Sequence, residues 1–158
     1  MLAKSLAALG AAVMLAAAQP SSSPEGYWLT EKKSGIVEIF RCSSDMLCGR
    51  LAWFRIKPSD EDQSGLDVKN PDPSRRNQSE CGLVFMSGFK PAGPGEWEDG
   101  SVYSPDDGHT YRANMTLRAD GTLRLHGYIG ISLIGASEIW TRYTDPVPQC
   151  PTRGAPPG

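Results

Sequence analysis

The sequence lacks an apolar run long enough to cross a membrane. Its longest spans residues 6–18, broken only by Gly10, and about 13 helical residues rising 1.5 Å each reach about 20 Å, short of the roughly 30 Å hydrocarbon core. A Lys/Arg cluster is also missing, and with it the electrostatic footprint of a protein that binds nucleic acid or an anionic membrane surface. Histidine is scarce, at two residues. No closely spaced C-x-x-C pair occurs, which argues against a four-cysteine zinc site. Apolar residues nowhere keep a helical period for long, so nothing in the pattern supports an α-rich fold.

What is present begins with a leader. Lys4, the apolar run and the small residues Ala16 and Ala18 form the three parts of a secretory signal, with cleavage expected after Ala18. The first cysteine is Cys42, so no cysteine stands at the cleavage point to be lipidated. Removal of residues 1–18 leaves a soluble chain of 140 residues with 15 basic against 18 acidic side chains, a net charge of −3. That length suits one domain, which buries about two thirds of the unfolded chain's surface. Four cysteines in an exported chain favour disulfides. Three pairings are possible. A hairpin over residues 43–47 would join Cys42 to Cys48 and leave Cys81 to pair with Cys150.

After residue 24 the local signals are those of strands and turns. The clearest is a hairpin of 109–117 and 122–129 around Asp120-Gly121, a dipeptide suited to tight turns. In it Tyr111, Ala113, Met115 and Leu117 alternate with polar residues, as do Leu123, Leu125 and Ile129 with Arg124, His126 and Tyr128. Further strands are expected at 26–31, 36–42, 48–56, 82–87, 97–103 and 136–143. About eight antiparallel strands without covering helices are most simply closed into an up-and-down barrel, since closure removes exposed edges; a two-sheet sandwich is the other arrangement. The barrel domain is expected over 19–145. Residues 57–80 interrupt it as a long polar loop, and the Pro-rich tail 146–158 should be extended and mobile apart from a tether at Cys150.

Gly26-Tyr27-Trp28 opening the first strand and Trp140-Thr141-Arg142 in the last resemble the two ends of a lipocalin-type (calycin) barrel. That resemblance implies that Arg142 lies across the Trp28 ring and plugs the closed end, a structural role. A closer resemblance runs through Leu47-Cys48-Gly49-Arg50-Leu51, Asn70-Pro71-Asp72-Pro73, Cys81-Gly82-Leu83, Asp99-Gly100-Ser101-Val102-Tyr103 and Gly127-Tyr128-Ile129-Gly130. It is to a family of small bacterial periplasmic proteins, classed as a domain of unknown function, with a lipocalin-like fold. The resemblance implies an all-β fold, a closed or nearly closed antiparallel eight-stranded barrel, and a periplasmic location. It implies no reaction, ligand or cofactor, and it leaves the Cys81–Cys150 pairing less secure than the first.

Catalytic patterns fail on inspection. Residues 130–135 have one residue too many for a nucleophile elbow and no strand-then-helix context. His109 and His126 read as surface histidines. Asp60, Asp62, Ser64 and Gly65 match four positions of a calcium loop, but Pro71 stands where a bidentate Glu is required, so a solvated acidic loop is expected and no metal. Asn70, Asp72, Arg75 and Arg76 combine turn-capping groups with guanidinium forks, suited either to pinning the long loop over a barrel end or to contacting a ligand or partner. Trp53, Tyr111, Met115 and Tyr128, with Phe54, Phe85, Met86 and Trp97, supply apolar bulk that either fills a barrel of this size or lines a cup for one small ligand. The function expected is therefore non-enzymatic: a monomer or weak dimer binding a small apolar or amphipathic ligand. The alternative is an envelope interaction module, an inhibitor or assembly factor, acting through residues 57–80.

Overall fold

Eight strands run through the computed structural model, which describes residues 23–56, 64–129 and 135–151. The leader expected over 1–18, the acidic positions Asp60 and Asp62, Ser132 and residues 152–158 lie outside that set. The strands are β1 (Gly26–Leu29), β2 (Gly35–Arg41), β3 (Leu47–Phe54), β4 (Val84–Gly93), β5 (Glu96–Ser104), β6 (His109–Leu117), β7 (Leu123–Tyr128) and β8 (Gly135–Arg142). Each pairs antiparallel with the next, and β8 returns to β1 through Trp28 opposite Arg142 and Leu29 opposite Thr141. The architecture is a closed barrel, not a sandwich.

Closure is economical because β1 has only four residues. Where β1 ends, β8 still has amides to satisfy, and the Glu31 carboxylate accepts a hydrogen bond from the Ile139 N–H at 3.1 Å. A side chain stands in there for absent strand, which blunts an edge that would otherwise remain open.

The hairpin read from Asp120-Gly121 forms as β6–β7. Gly121 takes a φ of 80° and Asp120 Oδ1 accepts from the Thr122 N–H at 3.0 Å. β4 runs further than its sequence indicates, to Gly93, past Gly88 and Pro91. Both residues act as strand breakers in isolation. Here Gly88, at φ 75°, lies against Asp99 O of β5, where Asp99 itself has a φ of 60°, and the irregularity carries the strand on with Phe89 turned fully inward.

Large side chains fill the lower half of the barrel, where Trp28, Ile39, Met86, Phe89, Met115 and Leu123 are all buried. Small residues make room for them. A Cβ on Gly100 would collide with the Phe89 ring, and one on Gly49 would lie 2.7 Å from Met86 Sδ. Cys42–Cys48 clasps the β2–β3 turn, with Cα atoms 5.7 Å apart. Cys81 pairs with Cys150, Cα to Cα 6.2 Å, so the segment after β8 is fastened to the start of β4. The first part of that segment is also tied down, since the Tyr143 N–H donates to Tyr27 O at 2.9 Å.

Candidate functional site

The two ends of the barrel differ. At one, the guanidinium carbon of Arg142 lies 4.0 Å from the centroid of the fully buried Trp28 ring. Arg142 also donates to Glu25 O at 2.6 Å and Ser23 O at 2.8 Å, while Trp28 Nε1 donates to Pro24 O at 2.7 Å. Burial draws the Arg142 pKa down from its ordinary value. The segment before β1 is thus stitched across the barrel end, and that end is plugged.

The other end opens into a cavity of about 840 Å³. Its wall is largely apolar and includes Val37, Leu51, Phe85, Val102, Leu125 and Trp140. Tyr103, Tyr111, Thr30 and Glu138 add polar atoms, and Lys32, Arg55, Glu80 and Asp106 stand around the mouth. The inward positions of β7 and β8 explain why space remains here. From the plugged end upward the facing pairs are Leu123 with Trp140, Leu125 with Glu138, and Gly127 with Ala136. Bulk gives way to small side chains towards the mouth.

Of the aromatic and thioether residues expected to line a cup, the structure brings Tyr111 to the cavity, where it faces Val102 across β5–β6. Its hydroxyl donates to Asp107 Oδ2, and this hydrogen bond, ahead of burial, raises the Tyr111 pKa. Asp107 moves the other way. Burial favours its neutral form, but hydrogen bonds from the Tyr111 hydroxyl, the His109 N–H and Ser104 outweigh that and lower its pKa.

Phe54, Phe85 and Tyr128 also border the cavity, whereas Met115, Trp53, Met86 and Trp97 are not on its wall. Met115 is packed into the core below the cavity, 1% exposed. Trp53 is turned outward because the β2–β3 register slips: Val37 faces Leu51 but Ile36 faces Trp53, so Ala52 is an extra residue that reverses the alternation. Tyr128 borders the rim, yet it is opposite Arg112, and its ring stacks on His126 on the outer face with centroids 5.9 Å apart. Arg112 lies 5.9 Å from the same ring. Ile129, which continues the inward series, is 75% exposed at the mouth.

The described part of the long loop folds onto the rim around Asp67. This side chain is 0% exposed, and its carboxylate accepts hydrogen bonds from Asn70 Nδ2 at 2.6 Å, Gln78 Nε2 at 2.9 Å and the Tyr103 hydroxyl at 2.6 Å. Burial first, and the Asp67 hydrogen bond second, push the Tyr103 pKa up to about 12. Asn70 is therefore an internal strut. Asp72 caps a 3₁₀ turn at Pro73–Arg75, and hydrogen bonds from Ser74 hold its carboxyl below the usual range. Arg76 Nε donates to Asn70 O at 2.8 Å, while Arg75 stays exposed beside Asp72. Lys69 Nζ reaches Asp106 O at 2.8 Å and fixes the loop to the β5–β6 turn.

His109 and His126 both lie on the outside. His126 Nδ1 is 2.8 Å from Ser137 Oγ, and the Arg124 guanidinium donates to the same hydroxyl at 2.9 Å. Among the described residues, no group of three or more His, Cys, Asp or Glu side chains is gathered to hold a metal ion. No helix among the described residues is long and apolar enough to cross a membrane.

Residues 26–142, from the first strand of the barrel to the last, match the family DUF2147, described as an uncharacterized protein conserved in bacteria. The chain belongs to this family. Among solved structures it is similar to protein HP1028 from the human pathogen Helicobacter pylori, described as belonging to the lipocalin family. The two share 26% identity with a TM-score of 0.67, over 79% of this chain and 86% of that one. No curated protein matches the chain. The DUF2147 barrel here is thus lipocalin-like in fold, with the Trp28–Arg142 plug and the cavity at opposite ends.

Proposed function

We propose that this protein is an exported, non-enzymatic binding protein that takes one small apolar or amphipathic molecule into the open end of its barrel. The observation that carries the reading is the cavity itself: about 840 Å³, walled mainly by apolar side chains and blocked at its far end. Sites for small molecules occupy about 300–1,000 Å³ and combine such walls with a few placed polar groups. The lipocalin-like fold supports it. Tyr111 is the candidate aromatic contact, and the rim loop held by Asp67 keeps the mouth shaped. Pinning of that loop by internal hydrogen bonds favours the cavity over the loop as the working surface.

Titration with the fluorescent apolar probe N-phenyl-1-naphthylamine tests the binding step. Saturable enhancement is expected, and Ala136→Trp, which adds bulk facing Gly127 inside the mouth, should weaken it at least about tenfold while circular dichroism stays unchanged. Equal binding by the variant would defeat the reading. Export through the leader, and a periplasmic address, are tested by the mass of protein recovered from the periplasmic fraction. It should lack residues 1–18.

A further inference from the structure

We propose that Glu138 is the specificity-determining residue of the cavity and selects ligands that carry a cationic amine at one end of an apolar body. The inference rests on the cavity being a ligand site, and it goes further by naming the chemistry of the occupant.

Register places the carboxylate. Glu138 faces Leu125 across β7–β8, and its neighbours of the same parity, Ala136 and Trp140, face Gly127 and Leu123. Leu123, Leu125 and Trp140 are buried in the barrel, so Glu138 projects inward with them, on the cavity wall. Below it lies the packed layer of Leu123 and Trp140; above it Gly127 and Ala136 leave the way to the mouth open. A charge at the floor of an apolar cup is costly unless something opposite in sign or rich in donors meets it.

The protein meets it in part. Trp140 Nε1 donates to Glu138 Oε2 at 2.9 Å, and no ion pair engages the carboxylate among the described residues. The indole needs an acceptor, but a neutral amide oxygen would serve it equally well, so the Trp140 contact does not account for an acid at this position. An ammonium group descending from the mouth would complete the other oxygen. The cations at the rim, Lys32 and Arg55, are both exposed, where solvent screening weakens their pull on an anionic ligand. Glu138 acts from within the apolar wall, where the same charge acts more strongly.

Three probes of one chain length test this by displacement of N-phenyl-1-naphthylamine: dodecylamine, dodecan-1-ol and dodecanoate, each below its micellar range at pH 7. The wild type should bind dodecylamine about tenfold more tightly than the alcohol, and dodecanoate least. Glu138→Gln should abolish the preference for the amine and leave dodecanol binding intact. Glu98→Gln, which removes the same charge from an exposed strand position, should leave the preference in place. Dodecanol binding with no charge preference, or equal loss of preference in both variants, overturns the role of Glu138 alone. Failure of all three probes to bind overturns the ligand site as well.

Discussion

The Tyr103 hydroxyl of β5 donates to Asp67 Oδ1 at 2.6 Å, joining the barrel wall to a loop carboxylate that has no exposure to solvent. The loop contributes the acceptor and the barrel the donor: Asn70 and Gln78 serve Asp67 Oδ2, and the Tyr103 hydroxyl serves Oδ1.

Tyr103→Phe removes the donor and leaves one carboxylate oxygen short of a partner inside the protein. The expected cost is about 1–3 kcal/mol in urea denaturation, with faster amide exchange across residues 65–80. Alkaline pH should reproduce it. The folded pKa is pushed up to about 12 from an ordinary 10.0, so the protonated phenol is favoured by folding. Its contribution is fully present below pH 10 and is lost as pH rises towards 12. The wild type should therefore lose more stability across that window than Tyr103→Phe does, and parallel curves would contradict the assignment.

Arg142→Ala gives up both the stacking on Trp28 and two charge-assisted hydrogen bonds to Ser23 O and Glu25 O. A loss of about 2–4 kcal/mol is expected by chemical denaturation. Arg142→Lys should recover less than half of it, because a single ammonium cannot spread over the indole and reach two carbonyls as a planar fork does.

The two disulfides should contribute unequally. Cys42 and Cys48 are 6 residues apart and Cys81 and Cys150 are 69 apart. On the chain-entropy model the first contributes about 2 kcal/mol and the second about 4. Paired serine replacements, Cys42→Ser with Cys48→Ser and Cys81→Ser with Cys150→Ser, compared by urea midpoint, check the order. A larger effect from the short loop would show that native-state strain or solvation outweighs loop closure.

Gly100→Ala tests the packing of the lower barrel. Its Cβ would collide with one edge of the Phe89 ring, which is fully buried. Overpacking of this kind costs about 1–3 kcal/mol. The double variant Gly100→Ala with Phe89→Leu should restore part of the loss seen by thermal denaturation.

Strand alternation made most of the barrel legible in the sequence, because apolar and polar residues trade places along β6 and β7 without interruption. It failed where the backbone departs from strict alternation. The extra residue at Ala52 turns Trp53 outward, and the paired irregularity at Gly88 and Asp99 hides the second half of β4 behind two apparent breakers. Met115 keeps the inward parity of β6, but depth along the barrel axis is not written in alternation, so a core position and a cavity position look alike in the sequence. Glu138 carried a signal that went unused: it keeps the parity of the inward Trp140. Asp67 carried none of that kind, since an acid in a polar loop reads as solvated until the fold brings Tyr103, Asn70 and Gln78 around it.

The plug also dictates the order in which the molecule can assemble. Arg142 meets Glu25 across 117 residues of sequence, and both the plug and the β1–β8 seam use the first and last strands of the barrel. Hairpins such as β6–β7 form from neighbours, but the ring cannot close until the last strand is free to reach the first. Joining such distant segments carries the loop-closure entropy that slows folding of proteins rich in non-local pairing. A chain made or delivered N-terminus first therefore holds its first strand without its final partner until Arg142 emerges, and barrel closure comes as a late event governed by the chain's end.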